Sequence, residues 1–326
     1  MSSNTRWGII GTGAIAGKFA EALRSAEGAE LVAVGSRSQQ KADAFAERFQ
    51  IPRRHGGYEA LAADEDIDAV YIATPHPMHC ANSLLCLQAG KAVLCEKPFA
   101  VNARQAAEVI GLARKKKLFL MEAMWARFLP TLVKTREILS AGTLGELRMV
   151  TAAFAFRAGW NPEGRLLNPV LAGGGLLDVG VYCVSLASMV LGKPSRIAGL
   201  ADIGKTGVDE QSGVVLGYDG GQLAVLISGV RTSIPHEAMI IGTEGMIRLH
   251  HPWWCGTRMT LSAGGKDEVL DLPFKGNGYT HEAEEVGRCL GAGRLESETM
   301  PLDETLSIMK TLDKIRAQWG LRYPTE

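Results

Sequence analysis

The chain has 326 residues, 46% hydrophobic and 21% charged, an ordinary composition for a globular protein with room for two domains. Its 35 Lys and Arg balance 35 Asp and Glu, so net charge gives no case for nucleic acid or an anionic membrane as partner. No uninterrupted apolar run approaches the roughly 18 residues of a membrane span, and no signal-peptide pattern precedes the first strand. The six cysteines (Cys80, Cys86, Cys95, Cys183, Cys255, Cys289) form no CxxC pair. They read as reduced, buried thiols of a cytoplasmic protein with no metal.

Residues 7–10 (WGII) are a short apolar run, followed by a glycine turn and a helical pattern, GTGAIAGKFAEAL. Gly11, Gly13 and Ala16 fit GxGxxA: the first permits a tight turn, the second lets the backbone approach a pyrophosphate, and the third lets helix and strand pack closely. Ala14 and Ile15 open the helix, whose free N–H groups and partial positive charge suit phosphates. They join Gly11 and Gly13 as cofactor-binding candidates. The second strand, LVAVGSR, ends in Ser36-Arg37-Ser38, with Lys41 one turn on. A carboxylate there would bind a free ribose 2′-OH, whereas a guanidinium suits a 2′-phosphate. The expected cofactor is therefore NADP rather than NAD, with a solvated loop charge as the plainer reading of Arg37.

The alternation continues with a helix over 39–49, a strand over 68–75 (DAVYIATP) and a helix over 76–90. A strand over 91–98 (KAVLCEKP), a helix over 102–117 and a strand over 118–124 (LFLMEAM) follow. This pattern predicts a doubly wound parallel sheet, with its ligand crevice beyond the carboxyl ends of the strands. Gly11, Arg37, Thr74, Pro75, Glu96, Lys97, Pro98 and Trp125 fall at those ends. Lys97 precedes a Pro that stiffens its backbone and is placed to contact substrate or stabilise an oxyanion. An ion pair with Glu96 is the alternative. Arg114 to Lys117 read as a solvated helix C-terminus. His76, His79 and Cys80 are close in sequence but lack a companion ligand motif.

After residue 128 the pattern changes. Strands are predicted over 146–156, 213–219, 222–230, 236–245, 245–251 and 259–264, several joined by short turns such as YDGGQ and GTEGM. A helix over 303–319 closes the chain. The expected fold is α/β: an N-terminal Rossmann doubly wound parallel sheet (1–126), plus a C-terminal α+β domain (127–326) with a large, mainly antiparallel open sheet for substrate binding and oligomerisation. One face of that sheet needs a cover of helices or a second subunit.

Residues 173–182 read GGGLLDVGVY. In a helix, Asp178 and Tyr182 share a face. Leu176, Leu177, Val179 and Val181 surround the acid, so the segment looks buried all round and the carboxylate needs a partner. The plainer readings are a core tyrosine satisfied by backbone and an acid favoured by the helix dipole. His250 and His251 fit either a pocket edge or a solvated strand end.

Together, GTGAIA, ATPHPMH, CEKPFAV, MEAMWARFLP and GGGLLDVGVY resemble the glucose-fructose oxidoreductase / inositol dehydrogenase (Gfo/Idh/MocA) family over nearly the whole chain. The last two segments look most like its dimeric dihydrodiol dehydrogenase / NADP-dependent D-xylose dehydrogenase branch, which also has Tyr at position 182 where many family members have His. The resemblance implies an NADP-dependent dehydrogenase acting on a hydroxyl of a cyclic diol or pyranose sugar, assembled as a homodimer through the C-terminal sheet. It implies that Lys97 is the catalytic lysine, before a commonly cis Pro, that Tyr182 is the general acid/base, and that Asp178 orients substrate or Lys97. It also implies that Gly11, Gly13, Ser36, Arg37, Thr74, His79, Glu96, Trp125 and Arg127 contact the cofactor, and that Phe154, Trp254 and Tyr279 are pocket aromatics. Another sugar or inositol dehydrogenase of the family, or a non-catalytic NADP-sensing regulator, are the competing readings.

Overall fold

Six parallel strands form the first sheet of the computed structural model, which describes residues 4–326. β1 (Thr5–Ile10) leads through the glycine turn to α1 (Ala14–Leu23), then β2 (Ala29–Gly35), α2 (Gln39–Phe49), β3 (Arg53–His55) and α3 (Tyr58–Ala62). β4 (Ala69–Ile72), α4 (His79–Gln88), β5 (Ala92–Glu96), α5 (Ala103–Lys116) and β6 (Leu120–Ala123) complete it. The strand order is β3-β2-β1-β4-β5-β6, so the direction of winding reverses between β1 and β4, where such sheets bind dinucleotides. Every residue of β4, β5 and β6 is buried. A sheet covered on both faces gives continuous apolar runs rather than alternation, and that is why these strands were legible. Proline at position 77 starts the fourth helical segment as a 3-10 turn, His76–Met78, before α4 takes over.

The second unit holds α6 (Pro130–Ser140), β7 (Leu147–Ala155), α7 (Val181–Leu191), β8 (Arg196–Ile203), β9 (Asp209–Gly217), β10 (Leu223–Gly229), β11 (Ala238–Gly242), β12 (Gly245–Leu249), β13 (Arg258–Ala263) and β14 (Lys266–Asp271). Its sheet has the order β14-β13-β12-β11-β7-β10-β9-β8. β7 runs parallel to β10, and the other neighbours are antiparallel. Sequence patterning missed the edge strands β8 and β14; five of the six residues of β14 are exposed, so it has no apolar face to read. It also started β9 at residue 213, because the preceding Asp209, Glu210, Gln211 and Ser212 are polar.

Helix α7 and the turn before it cover one face of this sheet, over β7 and β10. Residues Pro169–Leu191, interrupted by Asp178, Ser185 and Ser188, are still long and apolar enough on average to pass for a membrane span, but 89% of their most apolar window is buried inside the protein. After β14 the chain rejoins the first unit: residues 275–305 group with it, including α8 (Thr280–Gly291), which packs on α1. A single division after residue 126 falls beside the break between Trp125 and Ala126 but omits this return. The cause is tertiary: Ala283 and Val286 of α8 are buried, and Thr280 Oγ1 donates to the Ala22 carbonyl at 3.3 Å. α9 (Leu302–Gln318) follows near the C-terminus.

Candidate active site

In the first unit, the turn after β1 is shaped for a bound phosphate. Gly11 has φ +109°, and a Cβ there would stand 2.7 Å from the Ala73 carbonyl oxygen, so only glycine fits. A Cβ at Gly13 would meet nothing within 4 Å, and α1, beginning at Ala14 and Ile15, has no side-chain cap at its N-terminus. Open space beside uncapped helix amides is the cradle a pyrophosphate needs. At the end of β2, Ser36 is buried and its Oγ accepts from the Ser38 amide at 3.4 Å. Arg37 is exposed, and against the larger upward push of burial its charge draws the Tyr58 phenol down. Lys41 is exposed in the first turn of α2. Residues 36–41 (SRSQQK) contain no acid, so the donor set fits a phosphorylated ribose.

His79 ties the ends of two strands together. Its Nδ1 lies 2.8 Å from the Pro98 carbonyl and its Nε2 2.8 Å from the Thr74 carbonyl. Burial lowers its pKa, and the Lys97 charge acts in the same direction. With a main-chain carbonyl against each ring nitrogen, neither has an open approach for a metal ion. Asn82 Nδ2 donates to Thr74 Oγ1 at 3.0 Å. The bond between Lys97 and Pro98 is cis. Glu96 Oε2 accepts from the Lys97 amide at 3.1 Å, and its Oε1 takes a short hydrogen bond from the Tyr71 hydroxyl. Burial, and then Glu96 itself, push the Tyr71 phenol well up, which keeps it a donor. Trp125 stacks on Tyr279, with ring centroids 4.2 Å apart and planes 18° apart.

In the second unit, the run Gly173 to Gly175 is dictated by close approach. A Cβ at Gly173 would lie 2.7 Å from the Leu166 carbonyl oxygen, one at Gly174 (φ +111°) 2.1 Å from Asp209 Oδ1, and one at Gly175 3.0 Å from Gly229 Cα. The helix that follows opens with a π turn, Leu176–Gly180, closed by the Val181 amide on the Leu176 carbonyl, and continues as α7. Such wide turns are frequent at functional sites. Asp178 lies in the π turn, so its relation to Tyr182 is not that of two residues on one regular α-helical face. The partner its burial demanded is Arg165, whose Nη1 donates to Asp178 Oδ1 at 2.5 Å. The Asp178 side chain is 5% exposed and that of Arg165 58%, so the acid is enclosed while its cation faces solvent.

Tyr182 is buried in an aromatic cluster. Its ring centroid is 5.4 Å from Phe154 and 6.0 Å from Trp254. Phe154 and Trp254 are stacked at 4.6 Å and 7°. His236, 4.9 Å from Phe154, donates from Nε2 to the Ala155 carbonyl at 2.7 Å and accepts the Trp254 indole N–H on Nδ1 at 3.5 Å. His251 borders this group, accepting from the His236 amide at 3.0 Å, whereas His250 bonds Thr260 Oγ1 at 2.8 Å. Phe154 and Trp254 thus stack on each other in the second unit, and Tyr279 stacks on Trp125 in the first. Arg127 is buried and donates from Nε to Ser185 Oγ at 2.9 Å and from Nη2 to the Ser185 carbonyl at 2.7 Å. Arg165 and His236 were missed because no spacing marks them: one lies in a loop, the other at the start of an ordinary strand pattern.

A doubly wound parallel sheet with an uncapped helix behind a glycine turn defines a dinucleotide-binding protein. Residues 5–124 match the model described as "Oxidoreductase family, NAD-binding Rossmann fold", and residues 132–248 the Gfo/Idh/MocA C-terminal domain. The chain belongs to this Gfo/Idh/MocA oxidoreductase family. It is 39% identical to trans-1,2-dihydrobenzene-1,2-diol dehydrogenase of Mus musculus over 333 residues, and 39% identical to that of Homo sapiens over 331, covering 98% of this chain and of each relative. Among solved structures it resembles KijD10, a 3-ketoreductase from Actinomadura kijaniata in complex with NADP and TDP-benzene (TM-score 0.86, 25% identity, 97% of this chain and 98% of that one). The aldose-aldose oxidoreductase of Caulobacter crescentus shares the fold (TM-score 0.87, 24% identity, 97% and 98% covered).

Proposed function

We propose that this protein is an NADP-dependent dehydrogenase that oxidises, or in reverse forms, a hydroxyl on a cyclic vicinal diol or pyranose sugar, of the trans-dihydrodiol dehydrogenase or D-xylose dehydrogenase type. The observation that carries the reading is Tyr182: a buried phenol among Phe154, Trp254 and His236, following the enclosed Asp178, in a chain so similar to the dihydrodiol dehydrogenases. NADP, when bound, supplies the nicotinamide that accepts or donates hydride. Tyr182 Oη takes the proton of the substrate hydroxyl. Because a free phenol ionises only near pH ~10, it needs a cation to act as a base at neutral pH, and the Lys97 ammonium is assigned that part. Asp178 orients the polar groups about the reacting carbon. The stacked Phe154 and Trp254 offer flat apolar faces, which suit a ring substrate of either kind.

The test is reduced-nicotinamide absorbance with NADP+ and NAD+ against trans-benzene dihydrodiol, D-xylose, D-glucose and myo-inositol. Turnover of the diol or a pyranose supports the reading. Tight cofactor binding with no turnover of any alcohol supports a sensing role instead. Arg37→Asp is expected to shift the NADP+ to NAD+ ratio of kcat/KM by about 10–100-fold towards NAD+, the worth of one charge-assisted hydrogen bond. An unchanged ratio would remove Arg37 from 2′-phosphate recognition.

The reading extends to a homodimer in a reducing, cytoplasmic setting. All six cysteines are free and five are buried, as expected where disulfides do not form. On the second sheet, Leu200 (84% exposed), Val215 and Ile227 (45%) stand out from β8, β9 and β10, an apolar face of the kind a second copy covers. The double variant Leu200→Glu/Ile227→Glu is expected to elute with the mass of one chain in chromatography with light scattering. A persistent dimer would move the interface elsewhere.

A further inference from the structure

The π turn that carries Asp178 is held at its start by another acid. Asp209, the first residue of β9, is fully buried. Its Oδ2 accepts from the Leu176 amide at 2.6 Å, and the Gly175 amide adds its pull on the same carboxyl. These are donors that the beginning of a helix leaves unpaired. A helix is usually capped by the residue just before it, but here the cap lies 33 residues further along the chain, on a strand of the sheet beneath. The other oxygen, Oδ1, has no hydrogen-bond partner among the described residues and faces Gly174, where a Cβ would stand 2.1 Å away. The π turn rests on the same sheet through Gly175 against Gly229 and Gly180 against Ser228, where a Cβ at Gly180 would be 2.9 Å from the Ser228 hydroxyl.

The π turn contains one residue more than an α turn closing on the same site. Relaxing it to α geometry would rotate the residues before Val181 by about 100° and slide them about 1.5 Å. A 2.6 Å bond between Leu176 and Asp209 does not survive that change, nor does the 2.5 Å bond of Asp178 to Arg165. We propose that Asp209 is a positioning residue for the proton-transfer site: by capping Leu176 it holds the π turn, and through it the placement of Asp178 and Tyr182. The inference rests on the reading of Tyr182 as acid/base.

Burial pushes the Asp209 carboxyl up to about 7, against the downward pull of the amides of Leu176, Asp209 itself and Gly175. The surrounding titratable groups are Tyr323 from the C-terminal segment, whose phenol feels the Asp209 charge, and Glu210, next on β9, which is occupied by Arg231 at 3.5 Å. The folded-state value lies above the ordinary 3.8. The unfolded chain therefore releases this proton first as pH rises, and the contribution to stability present at low pH is lost between about 4 and 7.

Asp209→Leu removes the acceptor at similar size, and Asp209→Asn keeps an oxygen acceptor without titrating. The Leu variant is expected to lose kcat by at least about tenfold, as for a small misplacement of a catalytic group, with the KM for NADP+ within about twofold of wild type. The Asn variant is expected to stay within about threefold in kcat and to lack the fall in melting temperature that Asp209 adds between about pH 4 and 7. Should the Leu variant not fold, Asp209→Ser, with a shorter acceptor, is expected to show the same split from Asn. Equal kcat for Asn and for Leu or Ser, whether high or low, overturns the proposal. Tyr182→Phe run alongside separates the two ideas. Retained turnover there ends the acid/base reading, whereas its loss beside a fully active Asp209→Leu ends only the role given to Asp209.

Discussion

Tyr182→Phe is expected to lower kcat about 10²–10⁴-fold, the usual contribution of a positioned acid or base. The substitution removes one hydroxyl and leaves the ring, so the packing on Phe154 at 5.4 Å and Trp254 at 6.0 Å is kept. Fold and pocket shape are then unaltered, and the loss falls on the reaction rather than on binding. If the hydroxyl interacts only as the substrate proton moves, kcat and kcat/KM fall together. NADP+ affinity, measured by fluorescence titration, is expected to stay at the wild-type value, because the Gly11 to Ile15 turn and the Arg37 region belong to the other unit. A Phe variant within about threefold of wild type would place the proton acceptor elsewhere, with Lys97 the next candidate.

The second large effect concerns folding. Gly174→Ala is expected to destabilise the protein by more than about 3 kcal/mol, since backbone strain and overlap act together. The residue sits at φ +111°, and the new Cβ would fall 2.1 Å from Asp209 Oδ1. That oxygen belongs to a buried side chain anchored to the Leu176 amide, so it has no easy way to move. Gly293 provides the control: its φ is +65°, and a Cβ there meets nothing within 4 Å, so Gly293→Ala is expected to cost only about 1–2 kcal/mol. Urea unfolding of both variants measures the difference. Equal losses would mean that strain alone, and not the contact with Asp209, fixes Gly174.

The two halves of the chain were not equally legible. The dinucleotide sheet was readable because its strands are buried on both faces, so β4, β5 and β6 appear as unbroken apolar runs. The glycine turn is a local constraint, and Gly11 shows why: the Ala73 carbonyl fills the space a side chain would need. The open sheet was read less completely. β8 and β14 are edge strands, and the sequence of β14 carries little apolar signal. The start of β9 went unread because Asp209 and the residues after it are polar, which hid the cap of the π turn.

The sequence by itself determined the doubly wound sheet and the absence of an acid after β2. By residue type it also singled out Lys97, Asp178 and Tyr182, because these rest on short-range patterns: apolar runs, fixed glycine offsets and one buried segment holding an acid and a phenol. Only the tertiary structure decided what meets them. Arg165 reaches Asp178 from 13 residues away and Asp209 reaches Leu176 from 33. Phe154, Trp254 and His236 gather around Tyr182, and Tyr279 stacks on Trp125. The π turn itself is of this kind. Periodicity predicts a helix at GGGLLDVGVY, but the extra residue in its first turn is set by a buried carboxyl on another element and by glycines pressed against neighbouring backbone and side-chain atoms. Sheet order and register bring those atoms there, and neither is written in the local pattern of residues.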